Sequence, residues 1–238
     1  EPFYDSTDLI NCLSYKTYEL LRDNYHAKEK VNYIPHAFPN DLYHPIDPVQ
    51  AMQGRRQHFG TRADWFVGLW VNRNATRKMP GDILTTFKEF LDNLEKEEGH
   101  RNAMLVMHTD PNDHEGMNLM ATTEMLGMRN NILFSPGKLD FKDMNLLYNM
   151  CDFSINISKA EGHGLGPHQA LMVGKPVIAL TTGGMTRQII DWRDGTPNGF
   201  PVKPAVRMLV GSQLVPYIYD DHVDKAAVVD AYMQIYKM

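Results

Sequence analysis

The chain has 238 residues, enough to bury one substantial core, and it combines 43% hydrophobic with 22% charged residues, the balance of an ordinary folded protein. A formal net charge of −5 argues against general attraction to nucleic acid or to an anionic membrane surface, and apolar stretches such as 103–107 and 176–180 are too short to cross a bilayer. Cys12 and Cys151 lie in apolar stretches and read as buried free thiols. No C-x-x-C or H-E-x-x-H spacing suggests a metal, and no basic-then-apolar leader opens the sequence, so the expected location is the cytoplasm.

Residues 9–13 read as a strand, 15–22 as a helix and 31–34 as a second strand. Pro35, Pro39, Pro45 and Pro48 then mark a linker or hinge, because each proline fixes φ and removes a donor. Residues 1–35 are therefore expected to be the tail of a preceding domain with its hinge, and 36–238 the domain itself. From residue 64 onward short apolar runs alternate with helical periods. The run 64–71 (DWFVGLWV) predicts a strand, and Ile83, Leu84, Phe87, Phe90, Leu91 and Leu94 recur at helical spacing. Further strands are expected over 103–108, 131–135 and 176–180, with Phe153, Ile155 and Ile157 alternating with Ser154 and Asn156 in another. Helices are expected over 115–126, 142–150, 186–191 and 225–236. His108, Asp110, Asp113 and His114 form a polar cluster that reads as loop chemistry. Strands separated by helices of this length imply right-handed βαβ units, so the predicted fold is α/β, a Rossmann-like parallel sheet flanked by helices. Ligands bind at the carboxyl ends of such strands.

The most informative segment is 158–184, SKAEGHGLGPHQALMVGKPVIALTTGG. Gly162, Gly164 and Gly166 allow a ligand close to the backbone. Pro167 is expected as the first helical residue and Gly174 as the stop. The amides of the new helix and the glycine loop make a cradle suited to a diphosphate. Glu161 stands beside that cradle, where a carboxylate is unfavourable unless it binds something else, such as sugar hydroxyls.

The pattern S-x-x-E-G-x-G-L-x-x-x-x-A-L-x-x-G-x-P-V-I-A-x-x-x-G-G resembles the signature of the C-terminal, donor-binding domain of family-four (group 1) retaining glycosyltransferases, which have the GT-B fold. Upstream, 31–45 is similar to the family's interdomain segment, 66–87 to its strand, basic loop and helix, and 132–158 to its strand, base-binding loop and helix. The resemblance covers about residues 31–200. The variants N-R-N-x-x-R-K and H-T-D-P are similar to members encoded by large viruses and phages, for which the location would be the host cytoplasm.

The resemblance implies that Lys78 and a nearby arginine neutralise the donor's diphosphate. The family arginine follows the strand glycine directly. Leu69 occupies that position here, so Arg73 or Arg77 substitutes, with Arg73 preferred. Each charge-assisted bond would contribute ~1.5–3 kcal/mol. Glu161 matches the first carboxylate of E-x7-E, a clamp on sugar hydroxyls near the reacting carbon. His163, Gly164 and Leu165 match the loop that meets phosphate and sugar. Gln169 stands where a glutamate binds the ribose, and it keeps an acceptor without the charge. Lys138 and Leu139 are the expected base contacts.

The implied function is retaining transfer of a hexose from a nucleoside diphosphate sugar to an acceptor hydroxyl on an unknown glycan, lipid or small molecule. It requires no cofactor and no obligatory metal, and it depends on an N-terminal domain for the acceptor. The alternatives are a non-catalytic nucleotide-sugar-binding module and a GT-B-like epimerase or phosphorylase, which fit E-G-x-G-L less well.

Overall fold

The computed structural model describes residues 2–238. A short helix, α1 (Pro2–Asp5), precedes a small unit in which β1 (Ile10–Cys12) and β2 (Val31–Tyr33) pair in parallel around α2 (Tyr15–Asn24). It has its own apolar cluster of Ile10, Cys12, Leu21, Tyr25 and Val31.

The remaining chain builds one sheet of six parallel strands. In chain order they are β3 (Phe66–Val71), β4 (Ala103–His108), β5 (Ile132–Phe134), β6 (Phe153–Asn156), β7 (Val177–Leu180) and β8 (Phe200–Val202). Their spatial order is β5-β4-β3-β6-β7-β8. This is the Rossmann-like α/β sheet that the alternation predicts. The chain winds outward from β3 to β5, then returns to the middle and winds the other way, so the topology switches between β3 and β6.

Helices cover both faces. On one, α4 (Pro80–Glu98), α5 (Leu119–Met125) and α9 (Lys225–Tyr236) bury Phe87, Phe90, Leu91, Leu119, Tyr232 and Ile235 against Trp70, Phe153 and Ile155. On the other, α3 (Pro48–Phe59), α6 (Phe141–Asn149), α7 (Leu165–Met172) and α8 (Thr186–Ile189) bury Phe59, Leu147, Tyr148, Ala170 and Ile189 against Val67, Leu69 and Val106. Because both faces are covered, the alternation in β6 marks two buried layers, and Ser154 satisfies itself by donating to the Leu69 carbonyl at 3.2 Å. Gly68 is required where it stands: a Cβ there would lie 2.4 Å from the Phe153 ring. Both cysteines are buried and free. Among the described residues no helix is long and apolar enough to cross a membrane.

Four features depart from the sequence reading. Helix α3 has a weak apolar stripe and Gly54 at its centre, so periodicity hides it; its signal is Asp47, whose carboxylate accepts from Val49 N at 2.7 Å ahead of Pro48 at the start. The proline-rich stretch is strapped down. Asn145 and Asn149 of α6 accept from the backbone N–H groups of His44 and Ile46, each at 3.1 Å, and Tyr43 is buried. Helix α5 starts at Leu119 instead of 115, because the residues before it form turns on Asp110 and Asp113 and Asn118 supplies the cap. Lastly, β9 (Pro204–Leu209) and β10 (Tyr219–Val223) form an antiparallel hairpin rooted by Asp221, which takes Arg207 and the Thr182 hydroxyl.

Asp152 joins α3 to the sheet. Its carboxylate accepts from Arg55 at 2.6 Å and from Val67 N at 2.7 Å, and Arg55 also donates to the Trp65 carbonyl. Asp152→Ala would strand a guanidinium whose side chain is only 12% exposed. The expected loss is about 2–4 kcal/mol of unfolding free energy, read by denaturant titration.

Candidate functional site

The carboxyl ends of β3 and β6 lie side by side at the switch point, and each delivers one charged residue. Beyond β3 a 3-10 turn over Thr76–Lys78 ends at Met79, which adopts φ 58°, and α4 begins at Pro80. This tight turn holds Lys78 inward, 8% exposed. Beyond β6 the loop carries Glu161, whose side chain is 10% exposed and hydrogen-bonded to Lys78. Asn156 donates to the same carboxylate oxygen at 3.3 Å, and its own amide oxygen accepts from Ser158 N at 3.0 Å and Ser158 Oγ at 2.6 Å. Burial pushes the Glu161 carboxyl up, but the Lys78 bond and charge, with help from Asn156 and Ser158, hold it below the ordinary value of 4.5. Burial in turn lowers the Lys78 ammonium, and Glu161 offsets this in part.

Glycines shape the loop. Gly164, at φ 86°, caps α7, so the helix starts at Leu165. Pro167 is therefore third in the helix rather than first, a position where its missing N–H is still not needed. The amide of Gly184 donates to the Glu161 carbonyl at 2.9 Å, and a Cβ on Gly183 or Gly184 would lie 2.2 Å from the Glu161 carbonyl oxygen or 2.3 Å from that of Gly162. Two backbones thus pass in direct contact behind the carboxylate.

A cavity of about 570 Å³ opens onto this loop, lined by Lys78, Glu161, His163, Gly164, Leu165 and Gln169 together with Asn72, His108, Tyr43 and Met144. Six of the expected site residues therefore meet. Three stand elsewhere. Arg73 points outward and binds Asp113 at 2.6 Å and Glu115 at 2.8 Å. Arg77 is the arginine near the pair, 3.7 Å from the second Glu161 oxygen. Lys138 is exposed, and Leu139 lines a separate 290 Å³ pocket with Phe59, Val106 and Leu147. Gln169 accepts from the buried Tyr148 hydroxyl at 2.9 Å, so its amide oxygen is engaged within the protein.

The sequence reading missed a histidine cluster. His163 Nε2 is 3.0 Å from His168 Nδ1, and its ring meets that of His36 edge-on at 5.1 Å between centroids. The i,i+5 spacing of His163 and His168 was a visible signal; His36 was not, since only folding brings it close. Among the described residues no group of His, Cys, Asp and Glu side chains is arranged to hold a metal ion. Burial, then the neighbouring His168 and His36, push His163 down to about 4, and burial lowers His168 as well. Both rings bind protons more readily in the unfolded chain. Stability from them is complete above the ordinary histidine value of 6.5 and is lost as pH falls towards about 4. Because His163 is only half-buried, we expect on the order of 1–2 kcal/mol between pH 7.5 and pH 4.5. Urea titrations of wild type and His163→Gln at the two pH values check this, and the variant should lose less on acidification.

No curated protein sequence matches the chain. Solved structures match it at 16–20% identity, which speaks to fold. HepE of Anabaena, in complex with UDP and glucose, is 20% identical with a TM-score of 0.67, the match covering 84% of this chain and 50% of that one. The sucrose-phosphate synthase of Thermosynechococcus elongatus is 18% identical with a TM-score of 0.71, covering 98% and 50%. The C-terminal domain of a group 1 glycosyl transferase family protein from Francisella tularensis is 16% identical with a TM-score of 0.59, covering 85% of this chain and 89% of that one. The chain thus spans about half the length of the first two. The six-stranded sheet flanked by helices matches the fold of GT-B glycosyltransferase structures. The model of the glycosyl transferases group 1 family matches residues 55–210, more than half of the sequence. The chain belongs to the glycosyl transferases group 1 family.

Proposed function

We propose that this chain binds a nucleoside diphosphate sugar and serves as the donor half of a retaining hexosyltransferase, with residues 1–35 belonging to the end of an acceptor-binding domain. The observation that carries the reading is the Lys78–Glu161 pair at the switch point under the glycine loop. Lys78 and Arg77 against Glu161 leave one positive charge in excess. The amides at the start of α7 add to it, so a diphosphate is drawn to the pair. When it binds, Lys78 can pass from Glu161 to phosphate, which frees the carboxylate for sugar hydroxyls. As the bond from the sugar's anomeric carbon to the diphosphate breaks, negative charge grows where Lys78 and the loop amides already stand. These cations take the part a metal ion would play, so transfer needs no obligatory metal. HepE has been crystallised with UDP-glucose, which places a nucleotide sugar among the ligands to test first.

A panel of UDP-, GDP- and ADP-sugars screened by thermal shift tests the reading, since ligand at a hundredfold excess over its Kd stabilises by about 2.7 kcal/mol. The expected result is a shift with at least one donor and no sugar transfer by the 238-residue chain alone. A panel with no shift overturns donor binding, and robust transfer by the chain alone overturns the need for an acceptor domain. A donor-binding module without catalysis is the second reading, favoured by Gln169, whose amide oxygen Tyr148 already occupies. Turnover by the chain joined to an acceptor domain decides against it.

A further inference from the structure

His108 is the last residue of β4, paired in register with Val71 of β3. On its other side Met107 pairs with Phe134, which puts Ser135 beside the histidine. The side chain falls on the same face as Met104 and Val106, both buried beneath α6. It is thus the first polar group beyond an apolar row, in the cavity that holds Lys78 and Glu161. Tyr43, Val71, Met144 and Leu165 supply apolar walls to the same cavity, a slot suited to a planar ring. Ser135 holds one side of the imidazole, with Nδ1 3.1 Å from Oγ. Among the described residues Nε2 has no partner, and it is not sealed off from the cavity.

We infer that His108 reads the edge of the donor's nucleobase through Nε2 and so selects a base with a ring N–H, uracil or guanine, over adenine. This rests on the donor-binding reading above. Burial lowers the histidine below its ordinary value, so the ring is neutral at neutral pH and carries one proton. With that proton on Nδ1, donated to Ser135 Oγ, Nε2 keeps a lone pair. A lone pair accepts from the N3–H of uracil or the N1–H of guanine. Adenine presents the acceptor N1 where uracil and guanine present that N–H, and its only donor on this edge is the exocyclic amino group. The base must therefore shift in the slot or leave Nε2 unpaired, and a buried acceptor left without a donor is what makes such a site selective.

Calorimetric titration of UDP, GDP and ADP into wild type, His108→Ala and His108→Gln, with Lys78→Met as reference, tests this. Wild type is expected to bind UDP or GDP at least about tenfold more tightly than ADP. His108→Ala should bring the three within about twofold of one another. His108→Gln, which offers both a donor and an acceptor, should retain affinity but lose most of the preference. Lys78→Met should weaken all three alike. A preference for UDP or GDP that survives in His108→Ala, or a wild type that prefers ADP, overturns the role of His108 and leaves the donor site standing. A wild type that binds none of the three overturns the donor reading and the role of His108 with it.

Discussion

Lys78→Met is expected to weaken nucleoside diphosphate binding by about 30- to 150-fold, the loss of one charge-assisted bond worth about 2–3 kcal/mol. Methionine keeps most of the volume, so the cavity wall stays in place. It leaves the Glu161 carboxylate, 10% exposed, with the neutral Asn156 and Ser158 and the more distant Arg77. Unfolding free energy should therefore also fall, by about 2–3 kcal/mol. Glu161→Gln is expected to split ligands that Lys78→Met treats alike. With the carboxylate neutralised, Lys78 is released to phosphate, and a free nucleoside diphosphate should bind several-fold more tightly. The corresponding nucleotide sugar should bind more weakly, because the carboxylate that would accept from its hydroxyls is gone. Parallel calorimetry with the two ligands checks the split. Equal effects on both would mean that Glu161 only balances charge.

Gly184→Ala should be at least as damaging. Its Cβ would lie 2.3 Å from the Gly162 carbonyl oxygen and 2.5 Å from the His163 Cα, and both neighbours are backbone. Neither can turn aside as a side chain could, so the two segments must separate and the Gly184–Glu161 hydrogen bond breaks. The expected cost is about 3–5 kcal/mol, with donor binding lost because the glutamate and the loop move together. Gly162→Ala is the matched control. Nothing lies within 4 Å of its Cβ and its φ is ordinary, so stability should stay within about 1 kcal/mol of wild type. Thermal melts of both variants with and without nucleotide separate the two expectations.

Much of the sheet was legible because buried parallel strands are short apolar runs. Strand β4 and helix α9 stand at the expected bounds, Ala103–His108 and Lys225–Tyr236. What stayed hidden depends on contacts made only after folding. Gly54 breaks the helical pattern of α3 because Met150 packs where its side chain would be, with a Cβ 2.7 Å from that sulfur. The β9–β10 hairpin is held at its root by Thr182 and Lys159, which no local pattern announces. In the site, the spacing of Lys78 and Glu161 within their motifs was informative, and both reach the cavity. The choice between Arg73 and Arg77 was not legible, since the 3-10 turn brings the exposed Arg77 within 3.7 Å of Glu161 while the acids at 113 and 115 claim Arg73. From sequence His108 reads as part of a polar loop cluster, because its place in the cavity comes from the β3–β4–β5 register.

Lys78 and Glu161 are 83 positions apart along the chain, and their contact exists only because β3 and β6 are neighbours across the switch point. Pairing β3 with β6 closes a longer loop than pairing β3 with β4 or β6 with β7, so its entropic cost is greater and it is expected to form after those local units. Ligand recognition thereby reports on the completed sheet. Lys78 and His108 stand in the β3–β4–β5 half and Glu161 with the glycine loop in the β6–β7–β8 half, so the proposed site is complete only in the joined sheet. A nucleotide should therefore leave the refolding rate nearly unchanged and act by slowing unfolding.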